Sequence, residues 1–95
     1  MVTTDARNLA RENLILLADL SIESEPGAHR IKVRNLSAGG MMGEGRVPVI
    51  RGHRILVNLP GAGEVSGTIA WVQQTRFGVS FDKEVDLSGI RSEAS

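Results

Sequence analysis

The chain has no cysteine, no tyrosine, a single tryptophan and two phenylalanines in 95 residues. Without cysteine there can be no disulfide framework, thiolate zinc site or cysteine nucleophile. Two histidines, His29 and His53, leave too little for a histidine-rich metal site or a Ser-His-Asp triad. The three aromatics, Trp71, Phe77 and Phe81, fall in core-like alternation, which argues against the exposed stacking platforms that small barrels use on RNA or single-stranded DNA. Net charge is also missing: 11 Lys+Arg balance 11 Asp+Glu, so a surface-wide site for a nucleic acid polymer is not expected. No apolar run approaches the roughly 20 residues of a membrane span. The opening MVTTDARNLAR lacks the charged-then-apolar design of a secretion signal. These absences lead to the expectation of a soluble, cytoplasmic chain with no membrane partner, metal or cofactor.

What remains is enough for one small domain. The hydrophobic fraction, 41%, is too high for disorder. Charge is unevenly spread. Between Pro26 and Pro60, Arg30, Lys32, Arg34, Arg46, Arg51 and Arg54 face only Glu44. Acids outnumber bases in residues 1–25 and again from Asp82 onward. The basic middle reads either as ordinary outward-facing strand residues or as a local site for a small anionic ligand.

Glycine and proline punctuate the chain at Pro26-Gly27, Gly39-Gly40, Gly43-Glu44-Gly45, Gly52, Pro60-Gly61-Ala62-Gly63 and Gly78. Period-two segments lie between them. In His29–Ser37, Ile31 and Val33 oppose Arg30, Lys32 and Arg34. In Arg54–Leu59, Ile55, Val57 and Leu59 share a face. In Val65–Gln73, Val65, Gly67, Ile69 and Trp71 do, and in Phe77–Phe81, Phe77, Val79 and Phe81 do. Short antiparallel strands in so small a chain close best as a barrel. The first segment is ambiguous: Thr4–Leu20 suits a capped amphipathic helix by propensity, yet Leu14, Leu16, Ala18, Leu20 and Ile22 also alternate as a strand would. Residues after about Leu87 read as a short helical turn and a tail.

Two patterns carry chemistry. Arg7 and Arg11 lie four apart ahead of the first regular element, and the planar guanidinium grips phosphate bidentately and stacks on flat bases. Asn35-Leu36-Ser37-Ala38-Gly39-Gly40 ends the basic segment. Asn35 and Ser37 offer compact donors and acceptors, while Gly39 and Gly40 permit a sharp turn and close approach. Taken singly, the first reads as solvated arginines and the second as an ordinary turn. Ser37 has no base at recognisable spacing, and no catalytic constellation is visible, so the chain reads as a non-enzyme. His29 and His53 read as surface residues, Met41 and Met42 as core filler, and Trp71 as packed in or beside the barrel.

Together the two patterns resemble the PilZ domain family, which carries RxxxR followed by [D/N]xSxxG. Here they stand as Arg7-x-x-x-Arg11 and Asn35-x-Ser37-x-x-Gly40. The likeness continues through Gly39-Gly40-Met41-Met42, Ile55–Pro60, Gly67–Val72 and Arg76–Phe81, and covers residues 7 to about 87. It implies an all-β fold, a small six-stranded antiparallel β-barrel over 12–87, in which Glu12–Ile22 is a strand. It further implies a flexible ligand-clamping segment at 1–11, a tail at 88–95, and cyclic di-GMP as ligand. Carried over residue by residue, Arg7 and Arg11 meet phosphates and guanine edges, and Asn35 and Ser37 hydrogen-bond a guanine. Gly39 and Gly40 complete the motif, with Gly40 allowing close approach. The output expected is altered interaction with an unidentified protein partner. The alternative is a PilZ-like adaptor that binds no nucleotide and acts only through protein partners. Where many members have Asp, this chain has Asn35, which keeps an acceptor and loses the charge.

Overall fold

A computed structural model describes residues 16–90. Six strands run β1 Leu16–Ile22, β2 Ala28–Ser37, β3 Gly40–Glu44, β4 Arg54–Leu59, β5 Gly63–Gln73 and β6 Arg76–Phe81, followed by a 3-10 turn at Leu87–Gly89. All neighbours are antiparallel, and the order β1-β2-β3-β6-β5-β4 closes on itself through β1 and β4. Closure leaves no unpaired edge strand in the sheet.

Alternation decides which face is inside. Leu16, Ala18, Leu20 and Ile22 of β1 point inward, as do Ile31 and Val33 of β2 and Ile55, Val57 and Leu59 of β4. Ile69, Phe77, Val79 and Phe81 close the same core. Each fully buried Leu, Ile, Val or Phe contributes about 1.5–3 kcal/mol over an exposed one. That burial explains why the first segment is a strand where local propensity favours helix: Leu16–Ile22 is paired on both sides, to β2 and to β4, and a helix there would leave the barrel open. Residues 12–15 of the expected first strand lie outside the described residues.

Three expectations from the sequence need correction. Gly43 and Gly78 are not breaks between elements; each lies within a strand, β3 and β6, and is buried. At Gly43 a β-carbon would come within 2.6 Å of the Phe77 ring, so the glycine makes room for the largest fully buried side chain of the core. The hairpin joining β5 to β6 carries neither glycine nor proline; Gln74 supplies the left-handed backbone instead, with φ of 59°. The third is Trp71, which leaves the inward face altogether. The pairing of β5 with β6 shifts register between Ile69 and Trp71, so Ala70 is an extra residue and Trp71 faces out at 39% exposure.

Candidate functional site

A second register shift interrupts the pairing of β2 with β3, between Val33 and Asn35. Arg34 and Asn35 are both exposed as a result, and Leu36 turns inward in their place. The two bulges share one lateral row of the barrel. Asn35 pairs with Met42, Met42 with Gly78, and Gly78 with Trp71. The row crosses four strands, β2-β3-β6-β5, with a bulge at each end. Bulges commonly re-aim side chains beside functional sites.

The middle of the row is kept low by Gly78. A β-carbon there would collide with the Trp71 indole at Nε1, Cδ1 and Cε2, so the ring lies across the glycine. The result is a shallow hollow of about 260 Å³ lined by Asn35, Leu36, Ser37, Gly40, Met41, Met42 and Trp71. It is smaller than the roughly 300–1,000 Å³ of a drug-sized ligand site, so it takes one part of such a ligand. Met41 is buried core, as expected; Met42 is half-exposed and belongs to the hollow.

The structure thus brings Asn35, Ser37 and Gly40 together and adds Trp71, which the sequence read as packed in or beside the barrel. A signal for it existed: a two-residue turn at Gln74-Thr75 sets Trp71 opposite Gly78, and an aromatic laid across a cross-strand glycine is a recurrent device in sheets. Asn35 and Ser37 are exposed, and among the described residues the Asn35 carboxamide has no hydrogen-bond partner. The Ser37 hydroxyl donates to the Gly40 carbonyl at 3.2 Å. Gly40 serves the barrel itself, because a β-carbon there would stand 2.5 Å from the Val79 carbonyl oxygen. Gly39 faces open space, and its carbonyl accepts from the Phe81 amide at 2.9 Å. Arg7 and Arg11 lie outside the described residues.

The basic strip on β2 is partly neutralised. Arg30 pairs with Asp19 at 2.8 Å and Arg34 with Glu44 at 3.2 Å, both across strands, while Lys32 makes no ion pair among the described residues. Its long-range pull on an anion is correspondingly reduced, since paired opposite charges cancel at a distance. His53 is more than a surface residue: half-buried, its Nδ1 accepts the Ile50 amide at 3.2 Å and so braces the β3–β4 connection.

A larger cleft, about 630 Å³, lies between the β4–β5 hairpin and the chain after β6. Its rim carries Glu64, Asp82, Glu84 and Asp86 against Lys83, the wrong sign for a phosphate-bearing ligand. Asp82 is held by Arg54 through two bonds of 2.8 and 2.7 Å, and Arg54 also donates to the Thr68 hydroxyl at 3.0 Å. The Arg54 hydrogen bonds hold the Asp82 carboxyl below its ordinary value and, reciprocally, push Arg54 up. Asp86 is lowered by the Ser88 amide that it caps. Among the described residues no group of three or more acids and histidines is placed to hold a metal, and no helix is long and apolar enough to cross a membrane.

A family model described as PilZ domain matches residues 6–92, nearly the whole chain and both motifs. Neither the search of curated proteins nor that of solved structures returns a match.

Proposed function

The chain belongs to the PilZ domain family, a family of binding and adaptor domains associated with cyclic di-GMP, and on that premise we propose that it is a receptor for this dinucleotide. The observation that carries the reading is the lateral row Asn35–Met42–Gly78–Trp71, which gathers half of the family motif and an aromatic face into one hollow on the outer wall. One guanine lies against Trp71 and meets Asn35 and Ser37 by hydrogen bonds. Among the described residues the hollow has no charged lining, so the phosphates need cations from elsewhere. Arg7 and Arg11, ahead of β1 in the chain, supply them, with a guanidinium also suited to the N7 and O6 edge of the second guanine. Covering the outer wall with ligand creates a new surface, and the output is altered binding to a protein partner.

The test is calorimetric titration of the full chain with cyclic di-GMP, with GTP as control and Arg11→Ala alongside. Saturable heat is expected from the wild type. In Arg11→Ala the loss of charge-assisted bonds to phosphate should cost about 1.5–3 kcal/mol, which is at least a tenfold fall in affinity. Near-wild-type affinity in the variant would remove the arginine assignment. Silence in both proteins would leave the nucleotide-independent adaptor as the function of this barrel.

A further inference from the structure

We propose that the hollow accepts either purine, so that the chain binds a cyclic dinucleotide with one adenine, the 3′,3′-linked GMP–AMP, nearly as well as cyclic di-GMP. The proposal rests on the receptor reading above and concerns the base that sits against Trp71. Three features of the hollow carry it.

The first is that, among the described residues, no ionisable side chain lines it. A carboxylate would select guanine strongly, because it only accepts hydrogen bonds and guanine offers N1–H and N2–H2 side by side. The second is the hydrogen-bond capacity that the lining does have. Ser37 has committed its only proton to the Gly40 carbonyl, so its remaining lone pairs accept from an exocyclic amine of either purine. Asn35 has a carboxamide with both a donor and an acceptor, exposed and unpartnered among the described residues. Turned one way it serves guanine, accepting from N1–H and donating to O6. Turned the other it serves adenine, accepting from N6–H2 and donating to a ring nitrogen. The third is Trp71, since stacking on an indole is tolerant of base identity.

Guanine preference then belongs to the other half of the ligand, outside the hollow, which the receptor reading gives to guanidinium groups suited to the N7 and O6 edge. That division predicts a rank order. Cyclic di-GMP and the mixed dinucleotide bind with affinities within about tenfold of each other, and cyclic di-AMP binds more weakly than both. Asn35→Asp removes the donor and should widen the gap between cyclic di-GMP and the mixed dinucleotide by roughly ten- to a hundredfold, the range of one good bidentate pairing.

The experiment is a set of titrations of the full chain, wild type and Asn35→Asp, with all three cyclic dinucleotides. A wild-type preference for cyclic di-GMP of a hundredfold or more would overturn the proposal, and so would a ratio that Asn35→Asp leaves unmoved. Cyclic di-GMP binding with rejection of the mixed dinucleotide sinks this inference alone. Silence toward all three removes the receptor reading and this inference with it. Asn35 is exposed on β2, so the variant should fold, and a melting curve checks it; if it did not, the wild-type ratio would still decide.

Discussion

Strands β1 and β4 and strands β2 and β5 follow different rules within one barrel. The first pair alternates without interruption, every second residue buried, with no shift in register. The second pair each contains an extra residue, Arg34 in β2 and Ala70 in β5; beyond it Leu36 of β2 turns inward, while Trp71, Val72 and Gln73 of β5 are all exposed. The regular wall sends every second side chain into the core and its outward side chains, such as Asp19 and Arg54, into surface ion pairs. The bulged wall turns Asn35 and Trp71 outward to face one hollow. On the proposed function, stability and binding fall on different sides of a small closed sheet, and that division can be tested by substitutions that touch one side or the other.

The largest effect should come from two adjacent glycines of the same turn. Gly40→Ala forces a β-carbon against the Val79 carbonyl, a backbone atom that cannot swing aside. Overpacking of that kind costs about 1–3 kcal/mol. Gly39→Ala meets open space, and Gly39 is not in the left-handed region, so its cost should stay within about 0.5 kcal/mol. Urea midpoints of the two variants would show the difference. Equal stabilities would mean that the β3–β6 contact gives way more readily than the backbone geometry allows. Because Gly39→Ala leaves the barrel intact, its ligand affinity also isolates whether the nucleotide needs close approach at that turn.

A smaller and more local effect is expected at Gly78. Its added methyl would strike the Trp71 indole, and that ring stands on the outer wall, free to rotate away from the barrel. Gly78→Ala should therefore shift stability modestly, yet clear the aromatic face from the hollow. Trp71 is the only tryptophan, so the intrinsic emission reports this ring alone. The prediction is an altered emission in the unliganded variant together with a several-fold loss of cyclic di-GMP affinity. Stacking on an aromatic is worth about 1–3 kcal/mol per base. An altered emission with unchanged affinity would detach Trp71 from binding.

Strand β4 of the regular wall was legible from its alternation and β1 became a strand only through the family likeness, while the bulges of the other wall were not legible at all, for a physical reason. Period-two reasoning assumes that each residue on one strand meets one residue on its neighbour. It placed Ile55, Val57 and Leu59 correctly, because β4 keeps that pairing to its end. It placed Trp71 with Ile69 on the inward face, because nothing in Ile69-Ala70-Trp71 marks Ala70 as surplus. Propensity failed in a similar way at Leu16–Ile22, where Leu and Ala favour helix and the need for a strand between β2 and β4 prevailed. The short strand β3 was not located in the sequence, since Gly40, Gly43 and Gly45 look like turns; the family likeness implied only that there are six strands. The motif residues Asn35, Ser37 and Gly40 were found from their pattern, though the reason for Gly40 lies in the barrel wall.

The smallest effect belongs to the acidic side, at the Arg54–Asp82 pair. The bond to Arg54 lowers the folded-state pKa of Asp82 from its ordinary 3.8. A lowered carboxyl stabilises the folded state above its unfolded pKa, and the contribution disappears as pH falls through the lower, folded value. The wild type should therefore lose some stability below about pH 3.8 that Asp82→Asn has already lost at neutral pH. Both partners are well exposed, so solvent and salt screen the pair and the difference should be slight, shrinking as ionic strength rises. Melting curves of both proteins from pH 7 to pH 3, at low and high salt, would measure it. Since Asp82 lines the cleft while Asn35 and Trp71 line the hollow, Asp82→Asn should leave cyclic di-GMP affinity unchanged. A fall in affinity would show that the two sides of the barrel are energetically coupled, which the division between its regular and bulged walls does not predict.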